Sequence, residues 1–339
     1  MRIEPVDDAR FLAEVARAGI GLAIEQTPAW DAVDAEIPGR EPWGRLLVTA
    51  DDGSPVALLR LTRYEGRGFT YLWGRHAPVW LLPPGERPSA ELEASVNGAV
   101  RDHLRQAAPQ DAFVRLHAWH RATQLEPLLQ TVTYDRTVRI DLTVPADAYL
   151  ASLAKKFRYT VRQALGRAEV EVEDFSGLAR ADFDELYEVY RETAARDGFG
   201  IYPASVYWTM IERLRPHSRV FVARDAADGA RPVIAWALFT VHDGLVQYVY
   251  AAGSARARET DATVRLLWEA AEAFRREGAR TLDLMGIDSD LAPSLAGVGV
   301  FKRKWGEPVP VRPAWDLPLR PALYRGLRLA LRIKRLLRR

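Results

Sequence analysis

Cysteine is absent from the 339 residues, which excludes disulfides and thiolate metal centres. No stretch approaches the roughly 18 uncharged apolar residues of a membrane-spanning helix. The opening MRIEPVDDAR lacks the basic-then-apolar layout of a secretory signal, so a cytoplasmic location is expected. Neither G-x-G-x-x-G nor G-x-x-x-x-G-K-[ST] occurs, so dinucleotide and P-loop sites have no support, and the G-x-S-x-G elbow of many hydrolases is missing. Six histidines are scattered along the chain (His76, His103, His117, His120, His217 and His242). His117 and His120 are three apart, but no nearby carboxylate completes a triad. Too few ligands converge for a metal site, so none is expected.

What is present is ordinary globular material, 48% hydrophobic and 27% charged, in a length that favours two domains. The net charge of +2 hides an asymmetry. Eight basic residues and no acid follow Asp316, which leaves the preceding chain at −6. Such a basic block suits an anionic membrane surface or a nucleic acid.

Apolar spacing predicts a helix over 8–18, then strands over 45–50, 55–64 and 69–74 punctuated by Asp51-Asp52-Gly53-Ser54 and Glu65-Gly66-Arg67-Gly68. A helix over 89–107 follows, with Leu92, Val96, Val100 and Leu104 in one row, then strands over 113–117 and 138–144. A second unit is expected to begin near Pro145. It has a long helical pattern over 147–167, a strand over 170–173, helices over 182–197 and 204–214, and an antiparallel meander over 219–252. A helix over 259–277 and a strand over 281–285 close it. The expected class is α/β (α+β), with mixed, mostly antiparallel sheets flanked by helices. The expected division is 1–145, 146–316, and a last helix, 317–339, packing on the first domain.

The strand pair, helix and strand of the second half resemble acetyltransferases of the GNAT type. Those hold the coenzyme A pyrophosphate in a glycine-containing turn before the helix, where free N–H groups meet phosphate. Here the turn runs from Ala252 through Gly253 to Glu259, and Arg and Glu stand where further glycines are needed. The order fits and the coenzyme site does not.

Five segments together carry a more specific resemblance. Lys155-Lys156-Phe157-Arg158-Tyr159-Thr160-Val161-Arg162-Gln163-Ala164 is similar to a basic helix, K-x-R-x-x-I/V-R-x-A. Arg196-Asp197-Gly198-Phe199 is similar to R-x-G-F, and Tyr248-Val249-Tyr250-Ala251-Ala252-Gly253-Ser254 to Y-x-Y-x-x-S. Leu282-Asp283-Leu284-Met285-Gly286-Ile287 is similar to Y-D-F-x-G-I, and Gly299 to Gly306 to G-x-x-x-F-K-x-x-F-G. The chain resembles the FemABX family of tRNA-dependent aminoacyltransferases, which build peptidoglycan cross-bridges. The likeness is strong over about 150–306 and looser through Tyr71 to Val79. It is to compact members without a coiled-coil arm.

The resemblance implies two GNAT-like domains with a substrate groove between them. It also implies transfer of an amino acid from aminoacyl-tRNA to an amine of a peptidoglycan precursor, either lipid II or UDP-MurNAc-pentapeptide, with no cofactor. It makes Lys302 the cation beside the ester and sets Phe301 against the terminal nucleotide. Arg196 becomes a contact to precursor phosphate, Tyr250 a substrate-facing hydroxyl, and Tyr71 and Arg75 further substrate contacts. The partner of the basic helix (Lys155, Lys156, Arg158 and Arg162) becomes tRNA. On the residues alone, Phe301 reads equally as core, Lys302 as a solvated turn residue, Arg196 as a helix-end cation and the basic helix as a solvated face.

Two departures from the family stand out. Trp80 and Leu81 follow Val79 where an Asp is frequent. Asp31, Val33 and Asp34 follow Gln26 and Trp30 where some members carry a phosphate-binding Lys. The tail steps Arg325, Arg328, Arg332, Arg335 and Arg339 along a helix, with Leu323, Leu327, Ala330, Leu331 and Leu337 as an apolar side. That pattern suits peripheral contact with an anionic membrane or docking on the first domain, and a surface-seeking tail favours lipid II as acceptor. An acetyl-CoA-dependent N-acyltransferase and a non-catalytic RNA or membrane adaptor remain open as alternatives.

Overall fold

The computed structural model describes residues 1–129 and 131–336. Leu337, Arg338 and Arg339, and the side chain of Arg335, all counted above in the tail, lie outside the described residues. The chain forms two units. One comprises Met1–Asp135, Ser289–Pro293 and the segment from Pro310 onward, and the other Arg136–Asp288 and Ser294–Val309.

The first unit runs β1 (Arg2–Val6), α1 (Asp8–Ala18), α2 (Pro28–Asp34), β2 (Arg40–Thr49), β3 (Pro55–Gly66), β4 (Phe69–Trp73), β5 (Val79–Trp80), α3 (Ala90–Ala107) and β6 (Asp111–His117). Its sheet has the order β1-β2-β3-β4-β6 with a late strand, β14 (Ala314–Pro318), beside β6, while β5 pairs with β3. β4 and β6 run parallel, which requires a crossover, and α3 supplies it. Ser89 caps α3 by accepting the Leu92 N–H at 3.2 Å. The expected row places Val96, Val100 and Leu104 in the core against Leu59, Leu61 and Leu116. β1 escapes the sequence reading because Pro5 interrupts it; proline is tolerated there because β1 is an edge strand. The irregular stretch before Trp43 contains α2, which opens on Pro28.

The second unit runs β7 (Arg136–Asp141), α4 (Ala146–Ser152), α5 (Lys155–Leu165), β8 (Val170–Asp174), α6 (Arg180–Asp197), α7 (Ala204–Arg213), β9 (Ser218–Asp225), β10 (Val233–His242), β11 (Leu245–Gly253), α8 (Ala255–Glu259), α9 (Ala262–Arg276), β12 (Thr281–Gly286), α10 (Ala296–Lys302) and β13 (Pro308–Pro310). The chain ends in α11 (Pro321–Leu336), after β14. The second sheet has the order β13-β7-β12-β11-β10-β9-β8. The strand expected over 138–144 is β7, and it pairs with β12 in this sheet rather than with its predecessors, because Val138 and Ile140 alternate into the second core.

The helical pattern over 147–167 breaks at Leu153, which is extended and buried. Arg158 Nη1 donates to the Ala151 carbonyl at 2.7 Å, satisfying one of the carbonyls left over at the end of α4. Among the described residues no helix is long and apolar enough to cross a membrane.

Two irregularities in this sheet shape the candidate site. β11 and β12 are parallel, but their pairing runs only from Leu245–Gln247 against Thr281–Asp283. On its other edge β12 pairs with β7 from Thr281 onward, and the register shifts between Asp283 and Gly286, which pairs with Thr137. The second is a bulge in β11, where Leu238 faces Tyr250 while Phe239 faces Tyr248. The extra residue, Val249, puts Tyr248 and Tyr250 on opposite faces. Tyr248 joins the core with Phe239, and Tyr250 packs edge-on against Tyr207 of α7 at 4.9 Å.

Candidate active site

Lys302 is the last residue of α10, and the packing of the following turn fixes its place. Trp305 is 0% exposed, meets Phe157 edge-on at 5.0 Å and receives the Tyr149 hydroxyl on its carbonyl at 2.5 Å. Asp288 pairs with Arg303, the residue that follows α10. A side chain at Gly299 would collide with that carboxylate, so the first glycine of the G-x-x-x-F-K segment has a steric cause. With the helix so held, Lys302 Nζ donates to the Gly286 carbonyl at 2.9 Å, at the end of β12 beyond the point where it parts from β11. Burial pushes the Lys302 amine down to about 8, and the Asp283 carboxylate opposes that shift.

Asp283 organises the other side of this corner. It accepts from Thr137 Oγ1 at 2.5 Å, Arg139 Nε at 2.9 Å and the Met285 N–H at 2.7 Å. Met285 has φ +64°, a left-handed backbone that a side chain disfavours. Asp283 on its N–H and Thr137 on its carbonyl at 3.0 Å hold it there, and the turn so made aims the next carbonyl at Lys302. Phe301 is half-buried against Trp305 at 6.1 Å; it belongs partly to the core, beside exposed Val298 and Val300.

Arg196 and Tyr250 lie on the α6–α7 side of the same sheet. Gly198 ends α6 with φ +73°, the cap that glycine favours. Exposed Phe199 packs on Tyr190 at 5.9 Å. Arg196 donates from Nε and Nη2 to Asp197 at 2.8 and 3.0 Å, and from Nη1 to the Gly253 carbonyl at 2.7 Å. Its guanidinium therefore ties the end of α6 to the end of β11.

Two N–H groups of the turn after Gly253 have partners within the chain. The Ala255 N–H donates to Glu192 Oε1 at 2.9 Å and the Ala257 N–H to Ser254 Oγ at 3.3 Å. Arg256 pairs with Asp225 at 2.7 Å. Asp261, at φ +52°, brings a carboxylate to the start of α9. Negative groups thus stand where free N–H groups would receive a pyrophosphate.

α5 buries Phe157, Val161 and Ala164 in the second core; each large side chain there contributes roughly 1.5–3 kcal/mol. Lys155, Lys156 and Arg162 are exposed, with exposed Tyr159 among them. Arg158 is half-buried and committed to the Ala151 carbonyl, while lying on the same side of the helix as Lys155 and Arg162.

In the first unit Tyr71 stacks on Phe113 at 4.7 Å and on Tyr64 at 5.4 Å, and burial pushes its hydroxyl up to about 12. Arg75 lies over the Trp73 ring at 4.3 Å and donates from Nε to Tyr64 Oη at 3.3 Å. Asp31 and Asp34, standing where some FemABX members carry a lysine, are neutralised internally. Arg60, 1% exposed, reaches Asp31 at 2.6 Å and Asp34 at 2.8 Å.

Beside this network is an arrangement that sequence reasoning missed. His76 Nε2 approaches Glu25 Oε1 at 3.5 Å, and the His76 ring stacks on His117 at 5.2 Å. Burial raises the Glu25 carboxyl, but His76 and Arg75 outweigh it and hold the group at about 2. Burial and the His76 charge push His117 down to about 3. A carboxylate does join the histidines, from a distant loop rather than a neighbouring position. His120, set apart, has Nε2 3.2 Å from the Pro88 carbonyl.

Two sheets, each with a parallel pair bridged by a helix and one parting at its end, define a fold of acyltransferases. Residues 151–293 match the family described as Acetyltransferase (GNAT) domain. The whole chain has the fold of FemX. The crystal structure of FemX superposes with a TM-score of 0.72 at 15% identity, covering 97% of this chain and 100% of that one. A tandem GNAT protein from the clavulanic acid biosynthesis pathway is similar at TM-score 0.56 and 12% identity, covering 94% of this chain and 98% of its own. The L-PGS of Bacillus licheniformis is similar at TM-score 0.52 and 14% identity, covering 97% of both chains. No curated protein matches the sequence.

Proposed function

We propose that the protein is an aminoacyltransferase that moves an amino acid from aminoacyl-tRNA to an amine on the stem peptide of a peptidoglycan precursor, with lipid II as the favoured acceptor and UDP-MurNAc-pentapeptide as the soluble alternative. The observation that carries this reading is Lys302, a partly buried amine held at the Gly286 carbonyl where the parallel strands part. An aminoacyl ester is already activated, so the site needs only to orient the reactants and stabilise the oxyanion. The neutral acceptor amine attacks the ester carbonyl and a C–N bond forms. The carbonyl oxygen takes up negative charge beside the Lys302 ammonium. The C–O bond to the ribose then breaks, and the ribose oxygen leaves with the proton that the amine gives up. No metal or coenzyme enters this sequence.

The basic face of α5, with Tyr159 among its cations, suits the donor's phosphates and an unpaired base. Phe301 supports the terminal nucleotide, Arg196 and Tyr250 are the acceptor contacts proposed in the second unit, and Tyr71 and Arg75 those proposed in the first. Lipid II is preferred because the basic tail suits a membrane surface. The Ala255 N–H, already engaged by Glu192, speaks against acetyl-CoA as donor.

A donor comparison tests this. Aminoacyl-tRNA is expected to bind in a salt-dependent way and to raise the melting temperature, and millimolar acetyl-CoA to leave it unchanged. Stabilisation by acetyl-CoA together with acetyl transfer to an amine would replace this reading with the GNAT one.

A further inference from the structure

The last helix carries two apolar rows, and the first unit uses one of them. Leu323, Leu327 and Leu331 pack on Ala112, Phe113 and Leu129. Tyr324, 1% exposed, meets Phe113 edge-on at 5.4 Å, with Oη at 2.9 Å from the Pro127 carbonyl and 3.0 Å from Asp316 Oδ2. The apolar side that the sequence offered to a membrane is therefore the side that holds α11 in place.

A different row faces water. Leu329 is 59% exposed, Ile333 49% and Leu336 65%, at spacings that align them along the helix. Arg325 and Arg332 are exposed along one edge of the row, and α11 has no acidic residue. Arg328 pairs with Glu126 and lies with Leu329, Leu331 and Arg332 along a groove of about 380 Å³ beside Pro127–Leu129. A single exposed leucine needs no explanation. Three aliphatic residues in a row, with cations along one edge, form the amphipathic surface that enters the headgroup boundary of a bilayer.

We propose that this outward row of α11 is a membrane-docking face. Leu329, Ile333 and Leu336 enter the boundary between headgroups and acyl chains, and Arg325 and Arg332 rest on the phosphates of anionic phospholipids. The charges alone suit RNA equally, but an aliphatic row gains nothing from a sugar–phosphate backbone, whereas burial in lipid removes it from water. The inference does not depend on the chemistry at Lys302.

Co-sedimentation of the full chain with vesicles tests it, using equimolar phosphatidylglycerol and phosphatidylcholine against phosphatidylcholine alone, at about 0.1 M salt so that screening is moderate. The wild type is expected to sediment with the anionic vesicles only. L329S/I333S/L336S, whose side chains are already in water, is expected to keep the wild-type melting temperature and lose at least ten-fold in vesicle partition. R325E/R332E is expected to lose the preference for anionic lipid. Failure of the wild type to bind anionic vesicles, or unchanged partition of the triple variant, overturns the proposal. So does a loss of tRNA affinity in these variants with vesicle binding intact, which would make RNA the occupant.

Discussion

Lys302 donates to the carbonyl of Gly286 at 2.9 Å, and this one bond joins two of the five sequence segments that resemble FemABX motifs. It aims a cation at the end of a strand that has already parted from its parallel neighbour. An ammonium positioned in a partly buried site is worth more to a developing oxyanion than one in water. Lys302→Ala is therefore expected to lower kcat by about 10²–10³-fold with a much smaller change in KM. Lys302→Arg is expected to restore only part of the loss, because the larger guanidinium does not fit the amine's place. Initial rates of aminoacyl transfer check both.

The rate should depend on pH in a way that assigns the role of Lys302. Its pKa is lowered to about 8, so the ammonium persists below that pH and is lost above it. The Lys302→Ala profile carries the acceptor amine's own rise with pH. The ratio of wild-type to Lys302→Ala rates is therefore expected to fall as pH rises through about 8, because the charged form stabilises the oxyanion. A ratio that rises there would make the neutral Lys302 amine a base. Asp283 favours the charged form, so Asp283→Asn is expected to move that fall to lower pH. pH–rate profiles of the three proteins read both effects.

The basic face of α5 separates binding from structure. Lys155→Glu/Lys156→Glu/Arg162→Glu is expected to weaken tRNA binding by ten-fold or more at low salt and to reduce its salt dependence, with an unchanged melting temperature. Arg158→Glu removes the bond to the Ala151 carbonyl and is expected to cost about 1–2 kcal/mol of stability. Filter binding across a salt series, with thermal melts of the same proteins, distinguishes the two groups.

Acid stability should report the Glu25, His76 and His117 cluster. Glu25 titrates near 2 and His117 near 3 in the folded protein, against ordinary values of 4.5 and 6.5. The unfolded chain takes up these protons first, so stability falls as pH drops from about 6.5 toward 2. Glu25→Gln is expected to lower stability at pH 7 by about 2 kcal/mol. The gap to the wild type should close as the pH falls below 4.5 toward 2. Urea unfolding at a series of pH values measures it, and a gap independent of pH would contradict the assignment.

Local patterns made much of the fold legible. The Leu92, Val96, Val100 and Leu104 row foretold α3, and the meander expected over 219–252 is β9, β10 and β11. The segment from Gly299 to Lys302 stands out only through its likeness to a family motif, and that it forms the helix α10 is not read from its residues. What was hidden depends on partners distant in the chain. The turn at Met285 exists because Thr137 and Asp283 hold it, and no local sequence rule places a methionine in a left-handed conformation. Glu25 reaches His76 only through the first sheet's folding. The apolar side of α11 was visible, but whether it faced lipid or protein was decided by Phe113 and Leu129.

The most direct test is transfer of label. Wild type and Lys302→Ala would be incubated with a pool of labelled aminoacyl-tRNAs and either lipid II or the UDP-linked precursor. The expected result is label on the stem-peptide amine of one precursor, with lipid II ahead, and loss of that label in the variant. A folded wild-type protein that binds tRNA but labels neither precursor, or a variant that transfers as well as the wild type, would contradict the account.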